Sequence, residues 1–311
     1  MVRIMDEFTT KIFNIIKDEK LGKVYFDKTF KDMTTLKVGG KIHLVFMPFG
    51  IEEFIKFYDF YWKSGCEIPL FVIGNGSNIL ASDKEYKGIV VSFKAMKVMY
   101  YSIGDSIYFF PQCKMSYIAK VMISKGYSEV EYFSGIPGSV GGTVAMNGSF
   151  LNKSIGDYVE GALVITRDNK IKVYNNKLLN FSYRSSEVKE NSDIVLLVKL
   201  RFPKGDIAKT KINYNHLKEL RKEKQPLNAL SAGCAFKNPS GIKAWKIIKE
   251  LGYSGKSVGG AKVSEKHCNF IINDGSATSN DIYKILESIC IDAKEKKNII
   301  LENEWILINF D

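Results

Sequence analysis

Two glycine-crowded segments are the first places where residue types and spacing could do chemistry. One is Gly74-Asn75-Gly76-Ser77-Asn78-Ile79-Leu80. Glycine lets backbone N–H groups come close to a phosphate, and Ser77 and Asn78 add side-chain donors. A strand-to-loop turn uses Gly and Asn for steric reasons as well, so this segment alone leaves both readings open. The other is Gly135-Ile136-Pro137-Gly138-Ser139-Val140-Gly141-Gly142-Thr143, with four glycines and a proline in nine residues. That density exceeds what packing alone asks of a chain path, and a string of exposed N–H groups there can surround a pyrophosphate or a flavin ring. Neither segment has the spacing G-x-x-x-x-G-K-[ST] or G-x-G-x-x-G, which disfavours P-loop and Rossmann sites.

The elements around these segments set their position. Apolar residues at 51, 54, 55, 58 and 62 predict a helix over 51–63, and 69–73 reads as a buried strand entering the first glycine loop. A strand over 88–93 and a helix over 115–125 follow, and turns are expected to dominate 135–142. Short β-rich runs at 161–166 and 170–174, joined by Arg167-Asp168-Asn169, predict a hairpin. Another strand is expected over 194–202. Pro203-Lys204-Gly205-Asp206 is a breaker. Helices are expected over 212–224, 242–251 and 281–297, with Ser279 and Asp281 at the start of the last, and strands over 268–272 and 305–310. Helices and strands alternate irregularly, which favours α+β over a regular doubly wound sheet.

With 311 residues, 45% of them hydrophobic, the chain has material for a substantial core and for two or three domains. The formal net charge is +11. Its lysines are spread along the chain and mixed with acids in the densest clusters, and no nucleic-acid motif accompanies them. A surface that attracts anionic substrates is favoured over a nucleic-acid binder. Cys66, Cys113, Cys234, Cys268 and Cys290 are odd in number and widely spaced, with no C-x-x-C pair. This argues against a disulfide framework and a zinc site, and no metal is expected. The longest apolar runs are strand-length, and the N-terminus reads as an acidic amphipathic helix, so no membrane span or signal is expected and a cytoplasmic protein is.

Seven motifs then occur in one order. They are Thr34-Thr35-Leu36-Lys37-Val38-Gly39-Gly40; 74–80; 134–147; Tyr183-Arg184-Ser185-Ser186; Ser231-Ala232-Gly233-Cys234-Ala235-Phe236-Lys237-Asn238-Pro239; 259–270; and Leu301-Glu302-Asn303-Glu304. From near residue 30 to residue 310 the chain resembles the UDP-N-acetylenolpyruvoylglucosamine reductase (MurB) family. The short stretch after Tyr183-Arg184 resembles the smaller subclass, which lacks an extra tyrosine-bearing loop. The resemblance implies an α+β protein with a two-lobed FAD-binding domain of the vanillyl-alcohol-oxidase (PCMH) type, lobes 1–85 and 86–204, and a C-terminal α+β substrate-binding domain, 205–311. It implies noncovalent FAD, NADPH as co-substrate, and reduction of UDP-N-acetylglucosamine enolpyruvate to UDP-N-acetylmuramate for peptidoglycan, by a monomer. An FAD-dependent sugar alcohol or lactone oxidase of the same fold is the alternative.

Carried over by motif match, Cys234 is the acid that protonates C2 of the enolpyruvyl group, where many relatives have Ser. A free thiol titrates near ~8.5, so it is mostly protonated at neutral pH yet can release its proton. The other cysteines read as small buried hydrophobes. Arg184 holds the developing enolate, and Glu304 helps to polarise or protonate it. Glu302 competes for that role, because alternation puts 302 and 304 on one face of a strand. The cofactor set is Gly74, Asn75, Gly76, Ser77, Asn78, Gly135, Pro137, Gly138, Ser139, Gly141, Gly142 and Thr143. Tyr183, Lys237, Asn238, Lys262, His267 and Asn269 are the substrate-binding set. The chain departs from the family at Gly148-Ser149-Phe150-Leu151-Asn152, where relatives usually run Ala-Gly-Ala-Tyr-Gly, and a changed loop over flavin or substrate is expected.

Overall fold

The computed structural model describes residues 7–65, 67–104, 106–239 and 241–310; the expectation for Cys66 lies outside them. Cα packing divides the chain into two compact units. The first takes in the described residues of 1–27, 42–74 and 87–211, and the second those of 28–41, 75–86 and 212–310.

In the first unit, helix Glu7–Asp18 buries Thr9, Ile12 and Ile16, and helix Ile51–Lys63 buries Phe54, Phe57 and Tyr58. These spacings form one helical face each. Both faces share a core with a four-stranded sheet of order Gly22–Tyr25, Ile42–Pro48, Tyr86–Val91, Leu70–Val72. Phe46 and Phe57 meet with ring centroids 4.5 Å apart, and Phe54 meets Phe93 edge-on at 5.0 Å. Fully burying one such ring stabilises by roughly 1.5–3 kcal/mol. A second, antiparallel sheet has the order Ile171–Asn175, Val159–Ile165, Ile194–Leu200, Ser106–Phe109, Tyr100–Ile103. Its first two strands form the hairpin the sequence predicts, with Ile165 opposite Ile171.

In the second unit, helices Ala244–Glu250 and Ser279–Lys297 share a core with the three-stranded sheet Ser257–Val258, Ala261–Val263, Ile271–Asn273. Strand Ile306–Ile308 pairs in parallel with Ile79–Ala81. The first glycine loop therefore leads straight into the strand that receives the C-terminus.

The helix over 51–63 matches expectation residue for residue. Elsewhere the structure moves boundaries for identifiable reasons. The segment 135–142 is not all turn: Val140 N–H donates to Cys113 O, Gly141 N–H to Pro111 O, and helix Val140–Ala145 starts there. The helix expected from 212 begins at Ile207, because Asp206 Oδ1 accepts from Lys209 N–H at 2.8 Å. The strand expected over 268–272 is Ile271–Asn273, since a turn closes from Phe270 N–H to His267 O.

Thr278, rather than Ser279, caps helix Ser279–Lys297. Its hydroxyl accepts from Asp281 N–H at 3.1 Å, and Asp281 Oδ2 accepts from Thr278 N–H at 2.9 Å. That backbone hydrogen bond holds the Asp281 carboxyl below its ordinary range. A depressed carboxylate stabilises the fold above its unfolded pKa, and the contribution is lost as pH falls through the folded pKa. Asp281→Asn should therefore cost stability at pH 7, and its difference from wild type should shrink below about pH 4. Urea denaturation at both pH values checks this; an undiminished difference in acid would contradict it. Thr278→Ala should cost about 1 kcal/mol at pH 7.

Candidate active site

In the first unit, Arg184 occupies a two-residue turn. Ser182 and Ser185 exchange N–H···O=C bonds of 3.1 and 3.3 Å across it. Arg184 sits at φ +58°, a conformation in which glycine is the usual choice. Holding a non-glycine residue there costs on the order of 1–3 kcal/mol. Three clamps hold the turn. Asn147 Nδ2 donates to Ser182 O at 2.9 Å, Ser186 Oγ donates to Ala145 O at 2.8 Å, and Lys189 Nζ donates to Arg184 O at 3.1 Å. The first two come from the chain leaving helix Val140–Ala145, so the second glycine segment and the Arg184 turn share one support. The guanidinium lies 5.6 Å from the centroid of the exposed Tyr183 ring. Between Arg184 and the helix at Ile207 the chain forms only helix Glu187–Glu190 and strand Ile194–Leu200, with no inserted loop.

The same unit holds part of the cofactor set. A Cβ on Gly74 would stand 2.5 Å from Ser139 Oγ, so the two glycine segments touch at that pair. Gly142 is exposed, and a Cβ there would meet nothing closer than Ser139 Oγ at 3.7 Å. Gly74 and Gly142 thus both border the buried Ser139 hydroxyl and bring no side chain of their own, which lets a diphosphate or a ring edge approach the backbone. Gly135, Pro137, Gly138 and Gly141 flank it; Gly138 O accepts from Met115 N–H. Thr143 is buried and its hydroxyl donates to Ser139 O at 2.8 Å, which braces the helix.

Asn75, Gly76, Ser77 and Asn78 belong to the second unit. Gly76 O accepts from Thr35 N–H at 3.0 Å, and the Thr35 hydroxyl bonds Ser231 O at 2.7 Å. Asn78 Nδ2 donates to Glu304 O at 2.9 Å, and Asn78 O accepts from Ile306 N–H. The loop is therefore tied to both the Cys234 and the Glu304 segments.

Cys234 follows Gly233, whose φ of +77° requires glycine although no atom crowds it. Cys234 bridges Phe270 on one side. Glu304 N–H donates to Ala235 O at 2.8 Å and Lys237 N–H to Glu302 O at 2.9 Å on the other. Asn269 fixes this strip: its Oδ1 accepts from Phe236 N–H at 2.9 Å, its Nδ2 donates to Phe236 O at 2.8 Å, and its own carbonyl accepts from Ala235 N–H at 2.8 Å. Glu302 and Glu304 differ in surroundings. Glu302 is exposed and pairs with Lys237 Nζ at 2.9 Å, whereas Glu304 is half-buried one residue across from Cys234's neighbour. Of the remaining substrate set, Asn238 Oδ1 accepts from Ala244 N–H at the start of helix Ala244–Glu250, and Lys262 Nζ lies 2.6 Å from Glu265. Burial holds the His267 imidazole below its ordinary range, against Phe270 at 5.0 Å.

Two residues escaped the sequence reading. Arg221, near the end of helix Ile207–Lys224, donates from Nη2 to Gln225 Oε1 at 3.0 Å, and its Nε and Nη1 are buried. Burial pushes this guanidinium down to about 10, and Cys234 acts on it in the opposite direction. In sequence it is one of many cations in a Lys-rich run. Ser149, whose Oγ accepts from Arg184 Nη1 at 3.0 Å, lies in the divergent segment and carries no chemical signal by type. Cys113 and Cys268 are buried; Cys290 is half-buried, its thiol 3.7 Å from Leu301 O. Among the described residues no cluster of His, Cys, Asp or Glu could hold a metal, and no helix is long and apolar enough to cross a membrane.

Residues 43–174 match the sequence profile of an FAD binding domain, and residues 225–308 match that of the UDP-N-acetylenolpyruvoylglucosamine reductase C-terminal domain. Fold and site thus define an FAD-dependent oxidoreductase, α+β, with a PCMH-type FAD-binding domain followed by a C-terminal domain of its own. UDP-N-acetylenolpyruvoylglucosamine reductase of Caldanaerobacter subterraneus subsp. tengcongensis is 36% identical over 94% of this chain and 95% of that protein. The enzyme of the same name from Clostridium novyi is 36% identical over 98% and 97%. The crystal structure of the Thermus caldophilus enzyme (MurB) superposes with a TM-score of 0.77 at 30% identity, covering 92% of this chain and 98% of that one. The chain belongs to the UDP-N-acetylenolpyruvoylglucosamine reductase family.

An opposite charge near a thiol lowers its pKa by roughly 1–3 units, and the thiolate is the form that alkylates. Arg221→Met should accordingly slow iodoacetamide labelling of Cys234 at pH 7.5 about tenfold, with Cys234→Ser identifying the labelled site. Labelling at the wild-type rate would show that the guanidinium does not act on the sulfur.

Proposed function

We propose that the protein reduces the enolpyruvyl double bond of UDP-N-acetylglucosamine enolpyruvate to give UDP-N-acetylmuramate, with NADPH as co-substrate, as a cytoplasmic monomer in peptidoglycan precursor synthesis. The observation that carries the reading is the backbone hydrogen bond from Glu304 N–H to Ala235 O, which joins the segment bearing the Cys234 thiol to the segment bearing the Glu304 carboxyl, both able to handle protons. Family membership supports the substrate. It does not favour the oxidase alternative, which has no use for a thiol acid.

FAD bound noncovalently there would supply the redox chemistry, the transfer of hydride equivalents from NADPH to the enolpyruvyl double bond. Gly74–Asn78 and Gly135–Thr143 hold that cofactor in this reading. The negative charge that develops on the substrate carboxyl end as C3 gains hydride is met by Arg184, which its turn holds in place before the reaction. Glu304 polarises the same end. The Cys234 thiol then gives its proton to C2, which completes the lactyl ether and leaves a thiolate that takes a proton from solvent. Tyr183, Lys237, Asn238, Lys262 and His267 face the sugar and diphosphate; Asn269, read from sequence as a substrate contact, is buried with both ends of its amide on Phe236 and does not. Asn269 contributes by holding the Cys234 strip. Lobes 1–85 and 86–204 and a substrate domain 205–311 are the functional division; compact packing follows different cuts because it reflects chain contacts rather than ligands.

Purified protein should be yellow and should bleach with NADPH. In stopped flow, Cys234→Ala should leave bleaching by NADPH intact and slow substrate-driven return of colour by about 10²–10⁴-fold, the usual contribution of a positioned acid. Equal slowing of both phases would remove Cys234 from the role of proton donor.

A further inference from the structure

The segment 148–152 departs from the family pattern, and the proposed reaction makes no use of it. In the structure it opens a tight hairpin. Ser149 pairs with Ser154 and Phe150 with Lys153, leaving Leu151 and Asn152 as a two-residue loop. Both loop residues have positive φ, +48° and +64°, the conformation of a type I′ turn, which matches the twist of the strands it joins. A leucine is an unfavourable occupant of that position, so other bonds must hold the hairpin. Ile155 N–H donates to Gly148 O at 2.9 Å, and Lys153 Nζ lies 3.3 Å from Glu129, which also accepts from Tyr158 OH at 2.5 Å. Ser154 and Asp157 form a capping box at the far end. The hairpin is thus anchored at both strands, and Ser149 is its first paired residue.

From that position the Ser149 hydroxyl accepts a hydrogen bond from Arg184 Nη1 at 3.0 Å. The Arg184 backbone is already fixed by its turn and by Asn147, Ser186 and Lys189. Those clamps act on the backbone, and the side chain beyond it is a long one with several rotatable bonds. We propose that Ser149 is a positioning residue for Arg184: its hydroxyl selects the guanidinium orientation that meets charge developing on the substrate. A neutral acceptor suits this task. A carboxylate in its place would neutralise the cation, whereas a hydroxyl directs one N–H and leaves the charge available. Where the family runs Ala-Gly-Ala-Tyr-Gly, the aligned residue is glycine, which has no side chain to do this. The inference rests on the reading of Arg184 as the residue that stabilises the enolate.

The test is a double-mutant cycle on the FAD-loaded enzyme, with both half-reactions followed by flavin absorbance. Ser149→Ala and Ser149→Gly should slow substrate-driven reoxidation roughly ten- to hundredfold, the effect of losing one hydrogen bond to a charged group. Reduction by NADPH and the melting temperature should stay as in wild type. Ser149→Thr, which keeps the hydroxyl, should restore the rate. In an Arg184→Ala background, Ser149→Ala should cost nothing further. Wild-type reoxidation in Ser149→Ala, a Ser149→Thr variant as slow as Ser149→Ala, or an undiminished loss in the Arg184→Ala background would each overturn the inference. If Arg184→Ala itself reoxidises at the wild-type rate, the fault lies in the reading of Arg184.

Discussion

The chemistry of the second unit depends on one amide. Asn269 bonds both backbone polar groups of a single residue, giving to Phe236 O and taking from Phe236 N–H, while its own carbonyl holds Ala235. The strip from Cys234 to Lys237 belongs to no regular strand, so no sheet fixes its register. A side chain that matches both polar groups of one residue fixes it instead, and being buried it cannot trade those bonds for water at low cost. Once Phe236 is set, its apolar ring enters the core, Glu304 pairs with Ala235, and the carbonyl of Glu304 is in place to accept from Asn78. One amide thus orders the thiol, the carboxyl and the first glycine loop together.

The first unit reaches comparable order by another route. A positive φ at Arg184 costs on the order of 1–3 kcal/mol. The neighbours that offset it, Asn147 and Ser186, act at the end of the helix that opens in the second glycine segment. Asn147 uses both ends of its amide, since Oδ1 also accepts from Gly156 N–H at 3.1 Å. Strain at Arg184 and support from the glycine segment are therefore one construction. A change in the helix that follows Gly138 and Ser139 would reach the guanidinium through two hydrogen bonds.

How far the sequence reveals this depends on the range of each interaction. Helix Ile51–Lys63 and the hairpin at 167–169 are legible because the signals, a 3.6-residue period and a polar turn between β-rich runs, lie within the elements themselves. Strand Ile42–Pro48 leaves no such signal, since all but two of its seven residues are buried and alternation is lost. The glycine segments are legible as special backbone, but their contact at Gly74 and Ser139 is a pairing across sixty-odd residues that no local rule supplies. Glu302 and Glu304 show the limit most directly. Alternation along a strand makes them equivalent, and only Lys237, brought from far along the chain to pair with Glu302, tells them apart. Ser149 and Arg221 were hidden for the same reason, because a serine in a loop and an arginine in a basic helix acquire meaning only from a distant partner.

Arg221 also bears on why a cysteine can stand where many relatives use serine. Each unit of pKa is worth about 1.4 kcal/mol between protonation states. An alcohol is so weak an acid that a nearby cation leaves it protonated at neutral pH whether it helps or not. A thiol starts near ~8.5, where a cation is decisive and can be excessive. Too strong a field would leave Cys234 deprotonated before substrate arrives, with no proton to give. The guanidinium here is buried and bonded to Gln225, and burial weakens its hold on its own proton. In the proposed mechanism such a cation would favour thiolate at the stage where solvent is excluded and the proton has passed to C2. If Cys234 is the acid proposed above, the thiol and the buried guanidinium act on each other, and replacing either one alone changes what the other is worth.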